Sequence, residues 1–260
     1  MPEVARYAAG EFCWIELGTS DLEAATAYYT TLFGWTIEDQ PAGEDGTYRT
    51  CRAEGKKVLG LFELIDGPPI SDAPDWITYV CVDDADQSAK AAEAMGGSIV
   101  VAPLDVADQG RMAVIQDPTG ARIGLWQPGT NFGAELTNDP GSLTWAELQT
   151  KDPEAARAFY SDLFGWDSET QDMGGTIYTS FKIGDGYVAG CVEMPQGEKE
   201  KPAWLVYLET EDVDALIAKS DELGGGTVVP AQDVPEVGRF AILQDPQGAN
   251  FGVLKSAPGA

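Results

Sequence analysis

Histidine is absent from all 260 residues. That removes the commonest neutral metal ligand. Basic residues are scarce. The 16 Lys+Arg stand against 43 Asp+Glu, a formal net charge of −27, which repels phosphate backbones and anionic lipid surfaces and argues against nucleic acid as a partner. A solvated acidic surface accounts for this charge; attraction of a cationic ligand is the other reading. Only four cysteines occur, Cys13, Cys51, Cys81 and Cys191, without CxxC spacing. Three sit inside apolar strands, which reads as free thiols in a reducing compartment. No run approaches 18 apolar residues, and the opening Met1 to Tyr7 lacks a basic start followed by an apolar stretch. Neither a membrane span nor a classical export signal is expected, and the predicted location is cytoplasmic.

What is present is a repeat. The stretch from Phe12 to Asp21 returns from Leu143 to Asp152, and Leu32-Phe33-Gly34-Trp35 returns as Leu163-Phe164-Gly165-Trp166, an offset of 131. Trp76 to Tyr79 matches Trp204 to Tyr207, Gly110 to Ala113 matches Gly238 to Ala241, and Asp117 to Ala121 matches Asp245 to Ala249, all at an offset of 128. Two copies of one domain follow, residues 11–127 and 142–255, with 128–141 as a Gly-, Pro-, Asn- and Thr-rich linker.

Within the first copy, Phe12 to Gly18 alternates as a strand, and Asp21 caps a helix whose apolar positions run from Ala24 to Phe33 at helical spacing. Gly34 ends that helix. Short alternating runs follow at Thr36 to Asp39, Thr47 to Ala53 and Lys57 to Leu64, then a Gly67 to Pro69 loop. This is a βαβββ unit. Trp76 to Val82, a helix from Asp84 to Met95, and strands near Ser98, Arg111 and Ala121 make a second. The other half repeats the plan, with helices at Pro153 to Phe164 and Asp212 to Leu223. On a strand of period 2, Trp14 and Glu16 share one face, as do Trp145 and Glu147, while Cys13, Ile15 and Leu17, or Thr144, Ala146 and Leu148, take the other. Arg111 and Arg239 each follow a Gly in both copies, a symmetry that suits a structural role at a strand start.

Paired βαβββ units, an Asp-capped helix ending in Phe-Gly-Trp and a final Asp-Pro-x-Gly hairpin together resemble the vicinal oxygen chelate superfamily, which includes glyoxalase I, extradiol dioxygenases and bleomycin-resistance proteins. The order of elements, present twice, is closest to the tandem glyoxalase-like type sometimes encoded with aromatic polyketide pathways. The resemblance implies an α+β fold of two tandem glyoxalase-like domains with curved mixed sheets. In metal-using members His or Glu ligands sit on the first strand, on the strand opening the second unit and on the last strand. Aligned through the capping Asp and the Asp-Pro-x-Gly turn, those positions are Trp14, Ile77 and Gly124 here, and Trp145, Leu205 and Gly252 in the second copy. None donates a lone pair to a metal, and Glu63 or Glu193 alone, at a fourth position, does not hold a divalent ion against water.

At these positions the sequence departs from the family's pattern, so a site without metal or cofactor is expected. The faces that carry ligands elsewhere carry Trp14, Glu16, Ile77, Tyr79, Arg122 and Trp126 in the first domain, and Trp145, Glu147, Leu205, Tyr207, Asn250 and Leu254 in the second. Glu16 and Glu147 are the candidate general bases or acids, because a buried carboxylate is costly unless it is paired or used. Trp14, Tyr79, Arg122, Trp126, Trp145, Tyr207 and Asn250 are the candidate ligand-binding residues. The same side chains also fit a packed interior in which Arg122 and Tyr79 satisfy Glu16. Three functions stay open: a metal-free, hydroxylase- or lyase-like enzyme acting on a planar, apolar metabolite of antibiotic biosynthesis, a protein that sequesters such a molecule, as bleomycin-resistance proteins do, or a plain interaction or structural protein. Either of the first two works as a monomer or a homodimer, with an aromatic small molecule as its partner.

Overall fold

The computed structural model describes residues 4–43, 46–64, 73–194 and 201–258; the expected loop at Gly67 to Pro69 lies outside them. The first domain opens with β1 (Phe12–Thr19), α1 (Leu22–Phe33), β2 (Thr36–Ala42), β3 (Gly46–Ala53) and β4 (Lys56–Glu63). Its second unit is β5 (Asp75–Cys81), α2 (Ala85–Ala94), β6 (Ser98–Val106), β7 (Gly110–Gln116) and β8 (Arg122–Pro128). The second domain repeats this as β9 (Leu143–Thr150), α3 (Pro153–Phe164), β10 (Asp167–Asp172), β11 (Ile177–Ile183), β12 (Gly186–Glu193), β13 (Ala203–Glu209), α4 (Val213–Glu222), β14 (Gly226–Val234), β15 (Gly238–Gln244) and β16 (Asn250–Ser256).

Each domain is one eight-stranded sheet, in the order β2-β3-β4-β1-β5-β8-β7-β6 and its counterpart β10-β11-β12-β9-β13-β16-β15-β14. The sheets are mixed: β1 runs parallel to β4 and β5 parallel to β8, while the hairpin neighbours are antiparallel. Helix starts follow the capping chemistry. The Asp21 carboxylate accepts from Ala24 N at 2.9 Å and that of Asp152 from Ala155 N at 3.0 Å. At the other ends Gly34 and Gly165 adopt φ of 74° and 70°, the left-handed conformation that lets the chain leave the helix. Arg111 ties Asp86 to Asp105, and Arg239 ties Asp214 to Asp233, so each fastens a helix start to the outer hairpin.

One apolar core spans both domains. Phe12 and Ile15 of β1, Tyr29 of α1, Tyr160 of α3 and Phe251 of β16 all belong to it. Phe12 packs on Trp166 and Trp204, and Tyr29 packs on Phe251, so the helix-bearing faces of the two sheets meet. The contacts are reciprocal: Trp35 Nε1 donates to the Gly141 carbonyl and Trp166 Nε1 to the Gly10 carbonyl, at the same repeat offset. The second face of each sheet turns away from this core and carries the candidate site.

One expected side-chain direction is corrected. The β1–β5 register shifts between Phe12 and Trp14. This bulge sends Phe12 to the core face with Ile15 and Leu17, and it leaves Cys13 in the cluster of Trp14, Tyr79 and Cys81. A matching shift in β9 puts Leu143, rather than Thr144, with Ala146 and Leu148.

Candidate functional site

On the free face of the first domain, β1 presents Trp14 and Glu16 side by side. Glu16 is 7% exposed, and both of its oxygens are taken. Tyr79 OH donates to Oε1 at 2.5 Å and Tyr48 OH to Oε2 at 2.9 Å, while Trp14 Nε1 donates to Tyr48 OH at 2.8 Å. Glycines make room for this chain of bonds. A Cβ on Gly60 would lie 1.9 Å from Tyr48 OH, and one on Gly124 would lie 2.1 Å from Cδ1 of Tyr79. Gly60 stands opposite Glu16 in the ladder and Gly124 opposite Tyr79.

The second domain builds the same cluster more loosely. Trp145 Nε1 donates to Tyr178 OH at 3.0 Å, and Glu147 Oε1 accepts from Tyr207 OH at 3.3 Å and from Gln149 Nε2 at 3.4 Å. Gly190 and Gly252 again give way: a Cβ on either would lie 1.9 Å from Tyr178 OH or 2.2 Å from Cδ1 of Tyr207. Burial pushes both carboxyls above the usual carboxylate range. Tyr79 and Tyr48 pull Glu16 partly back down, and Gln149, Tyr178 and Tyr207 do so for Glu147. The four tyrosine hydroxyls are raised in turn, by burial first and then by the facing carboxylate, so they stay protonated and act as donors.

These residues do not fit the divalent ion that the superfamily's fold implies. Trp14, Ile77 and Gly124 stand at the expected ligand positions, and the Tyr79 ring fills the space that a side chain at position 124 would need. Trp145, Leu205, Gly252 and the Tyr207 ring repeat the arrangement. Glu63 and Glu193 are exposed at strand ends. Among the described residues no group of three or more His, Cys, Asp or Glu side chains comes together.

Of the expected site residues, the structure unites Trp14, Glu16, Tyr79 and Trp126 in one cluster, and Trp145, Glu147 and Tyr207 in the other. Two stand apart. Arg122, on the same strand as Trp126, bears on Asp75 rather than Glu16; burial pushes the Asp75 carboxyl up to about 6 and Arg122 draws it back. The second partner of Glu16 is Tyr48, not arginine. Asn250 instead accepts from Gln244 Nε2 at 3.1 Å at the start of β16. Tyr48, Tyr178 and Gln149 were missed from the sequence, although the Tyr48/Tyr178 and Gly60/Gly190 pairs recur at one shared offset of 130.

The two faces differ in access. The chain from Asn131 to Glu135 lies across the first: Ala134 N donates to the Cys13 carbonyl at 2.8 Å, Trp126 Nε1 to the Asn131 carbonyl at 2.9 Å and Tyr7 OH to the Ala134 carbonyl at 2.9 Å. Trp14 is 8% exposed beneath it. Beside Trp145 in the second domain, Val4, Arg6, Tyr7, Thr137 and Asn138 line an open cavity instead. Val192 replaces Phe62 and Leu254 replaces Trp126, and both Trp145 and Glu147 keep contact with solvent. Glu147 is thus less buried than Glu16.

The sequence profile of the Glyoxalase/Bleomycin resistance protein/Dioxygenase superfamily matches residues 12–125 and 142–253. CFP32 of Mycobacterium tuberculosis is 40% identical over 260 residues, covering 99% of both chains. The anthracycline biosynthesis protein DnrV of Streptomyces peucetius is 37% identical over 267 residues, covering 98% of this chain and 97% of its own. In fold, the chain is similar to the 2,3-dioxygenase LapB of Pseudomonas sp. KL28, with a TM-score of 0.66 and 14% identity over 97% of this chain and 94% of that one. It is likewise similar to the Mn(II)-bound glyoxalase of Novosphingobium aromaticivorans, with a TM-score of 0.65 and 14% identity over 96% and 84%. With both halves matched and the repeat visible in every element, the chain belongs to the Glyoxalase/Bleomycin resistance protein/Dioxygenase superfamily.

Proposed function

We propose that this protein is a metal-independent enzyme that acts on a planar, largely apolar small molecule at the free face of the second domain, as a tailoring step of aromatic polyketide metabolism. The observation that carries this reading is Glu147: a carboxylate raised by burial, loosely held at 3.3 and 3.4 Å, and only partly covered beside Trp145. A carboxyl tuned upward is a better proton acceptor at neutral pH than an ordinary one. Trp145 offers a flat apolar surface on which an aromatic ring stacks. When Glu147 takes a proton, the hydroxyls of Tyr178 and Tyr207 lose an anionic acceptor and are free to donate to an oxygen on the ligand that gains charge. The anthracycline biosynthesis role in the names of DnrV and of DauV, which is 36% identical over 263 residues, supports the substrate class.

The test is a panel of hydroxylated anthraquinones screened by quenching of tryptophan fluorescence, followed by product analysis with Glu147→Gln and Glu16→Gln. Glu147→Gln keeps the shape and removes the proton acceptor, so turnover falls about 100-fold or more while Glu16→Gln retains it. If Glu147→Gln reacts like the parent, this reading is wrong. Sequestration without chemistry is the second reading, favoured by the solvent-facing indole and the net charge of −27. It predicts that Glu147→Gln alters affinity, most for cationic ligands, with no product from any variant.

A further inference from the structure

One pair of side chains occurs in the first domain alone. Cys81 ends β5, where its N–H donates to the Glu11 carbonyl at 2.8 Å and its carbonyl accepts from Gly10 N at 2.9 Å, so it stands against the start of β1. Strand alternation would send the nearby Cys13 to the core face with Ile15 and Leu17. The bulge between Phe12 and Trp14 turns it instead onto the face of Cys81, in the cluster with Tyr7, Trp14, Tyr79 and Trp126. There the two thiols hydrogen-bond each other. Cys13 Sγ also approaches the Tyr79 carbonyl at 3.5 Å, and Cys81 Sγ the Tyr7 carbonyl at 3.7 Å. By repeat offset their counterparts are Thr144 and Glu209, so the second domain has no such pair.

The other two cysteines are placed differently. Cys51 and Cys191 are fully buried in the common apolar core, where burial pushes both thiols up, that of Cys191 to about 12. They stay in the unreactive protonated form. In the pair the two sulfurs diverge. Burial pushes the Cys13 thiol up, whereas its bond to Cys81 draws the Cys81 thiol down; Arg6 assists, and burial, Asp83 and Glu11 oppose this only in part. Cys81 is also the outer of the two, 5% exposed against 1% for Cys13. An outer sulfur with thiolate character in contact with an inner one is the arrangement of an attacking and a resolving cysteine.

We infer that Cys13 and Cys81 form a dithiol site that a hydroperoxide oxidises to a disulfide, joining β1 to β5 beneath residues 131–135. The Cys81 sulfur attacks one peroxide oxygen. An S–O bond forms as the O–O bond breaks, and the departing alkoxide, or hydroxide from hydrogen peroxide, takes up the thiol proton, leaving a sulfenic acid on Cys81. The Cys13 sulfur then attacks Cys81 Sγ; the S–S bond forms as the S–O bond breaks, and hydroxide leaves with the Cys13 proton as water. The two thiols give up two electrons, and the hydroperoxide is reduced to an alcohol and water. The sulfurs already touch across adjacent strands, so side-chain rotation brings them to bonding distance. The bridge removes the S–H groups that approach the Tyr7 and Tyr79 carbonyls, at the place where Tyr7 OH and the Cys13 carbonyl hold Ala134. Oxidation therefore acts on the anchor of the segment that covers the first domain. This inference stands apart from the proposed chemistry at Glu147, and its test needs no substrate.

The full chain, reduced and freed of reductant, is treated with hydrogen peroxide, denatured in iodoacetamide and mapped by peptide mass spectrometry. A linked pair of peptides carrying Cys13 and Cys81 is expected, lighter by two hydrogens than their sum and separated by dithiothreitol. Cys51 and Cys191 are recovered alkylated, losing their thiols at least about tenfold more slowly. Cys13→Ser removes the resolving sulfur, so dimedone labels Cys81 as its sulfenic acid; Cys81→Ser leaves Cys13 reduced. The map of the parent reads the bridge even where a variant folds poorly. Oxidation of the exposed Met173 marks a sufficient dose. At that dose, four intact thiols, a bridge that includes Cys51 or Cys191, a sulfinic acid on Cys81 without a bridge, or a bridge formed only between chains would each overturn the proposal.

Discussion

Tyr29 of the first domain donates its hydroxyl to Asp245 of the second at 3.0 Å, and Tyr160 returns the contact to Asp117 at 2.9 Å. Each aspartate already holds its own Asp-Pro-x-Gly turn through the other carboxylate oxygen, as Asp245 does with Gln247 N and Ala249 N. The residue that shapes a local hairpin thus also fastens the opposite domain. Tyr29→Phe keeps the ring stacking and strands one buried carboxylate oxygen, so it costs about 1–2 kcal/mol. Tyr160→Phe also strands Trp204 Nε1, which donates to that hydroxyl at 3.0 Å, and so costs more; because the two contacts share no partner the double variant is additive. Urea unfolding of the three variants checks this; a double variant no worse than a single one refutes it.

Asp75 makes stability depend on pH in a definite direction. Its folded carboxyl, pushed up to about 6, lies above the ordinary 3.8. The folded state therefore favours the protonated form, and the associated stability is fully present below about 3.8 and is lost as pH rises through about 6. Asp75→Asn imitates the protonated form and is expected to unfold at a higher temperature than the parent at pH 7.5, by stability on the order of 2 kcal/mol after screening. At pH 4 the two converge. Equal melting temperatures at both pH values would contradict this.

The glycines at the last-strand positions carry a second test. Gly124→Ala drives a methyl into the Tyr79 ring and destabilises the fold by about 1–3 kcal/mol, whereas Gly124→Ala combined with Tyr79→Ala relieves the clash. A double-mutant cycle by thermal unfolding measures the coupling. Additive losses would show that the ring does not occupy this space.

The chain is expected to hold no stoichiometric transition metal, and EDTA is expected to leave its melting temperature unchanged. Elemental analysis of protein purified without chelator checks the first point and calorimetry the second. About one manganese, iron or zinc per chain would show that donors other than those at positions 14, 77 and 124 assemble a site.

Trp14 and Trp145 occupy equivalent places in the repeat but are expected to fail differently. Trp14→Ala opens a cavity under the linker and costs about 3–5 kcal/mol, with little effect on ligand affinity. Trp145→Ala costs less stability and weakens an aromatic ligand by about 1–3 kcal/mol. Denaturant unfolding and fluorescence titration of both variants read the contrast, and equal stability losses would remove the distinction between the two faces.

The fold was legible because capping, turn and periodicity signals are local and occur twice: Asp21 and Asp152, Gly34 and Gly165, and the Asp-Pro-x-Gly turns all act where they stand in the chain. The Trp-Glu strand was legible for the same reason. Cys13 was misplaced because one bulged residue reverses every side chain before it, and neither Phe12 nor Trp14 signals a bulge. Tyr48 and Tyr178 reach Glu16 and Glu147 from another strand, across a glycine that vanishes from any hydrophobic pattern. The difference in access was hidden further still. It depends on where residues 131–135 dock, and a Gly- and Asn-rich stretch reads as a connector whether it hangs free or fills a slot.

The reciprocal fastening has a consequence for synthesis on the ribosome. When the first 128 residues have emerged, Phe12 lacks Trp166 and Trp204, Tyr29 lacks Asp245 and Phe251, and Trp35 lacks the Gly141 carbonyl. The leading half therefore waits, with its aromatic face uncovered, until the last hairpin is made; at a synthesis rate of about 5–20 residues per second that is on the order of ten seconds of exposure. A nascent chain truncated after β8 should recruit chaperones or aggregate, and translation through β9 to β16 should be under pressure to be fast.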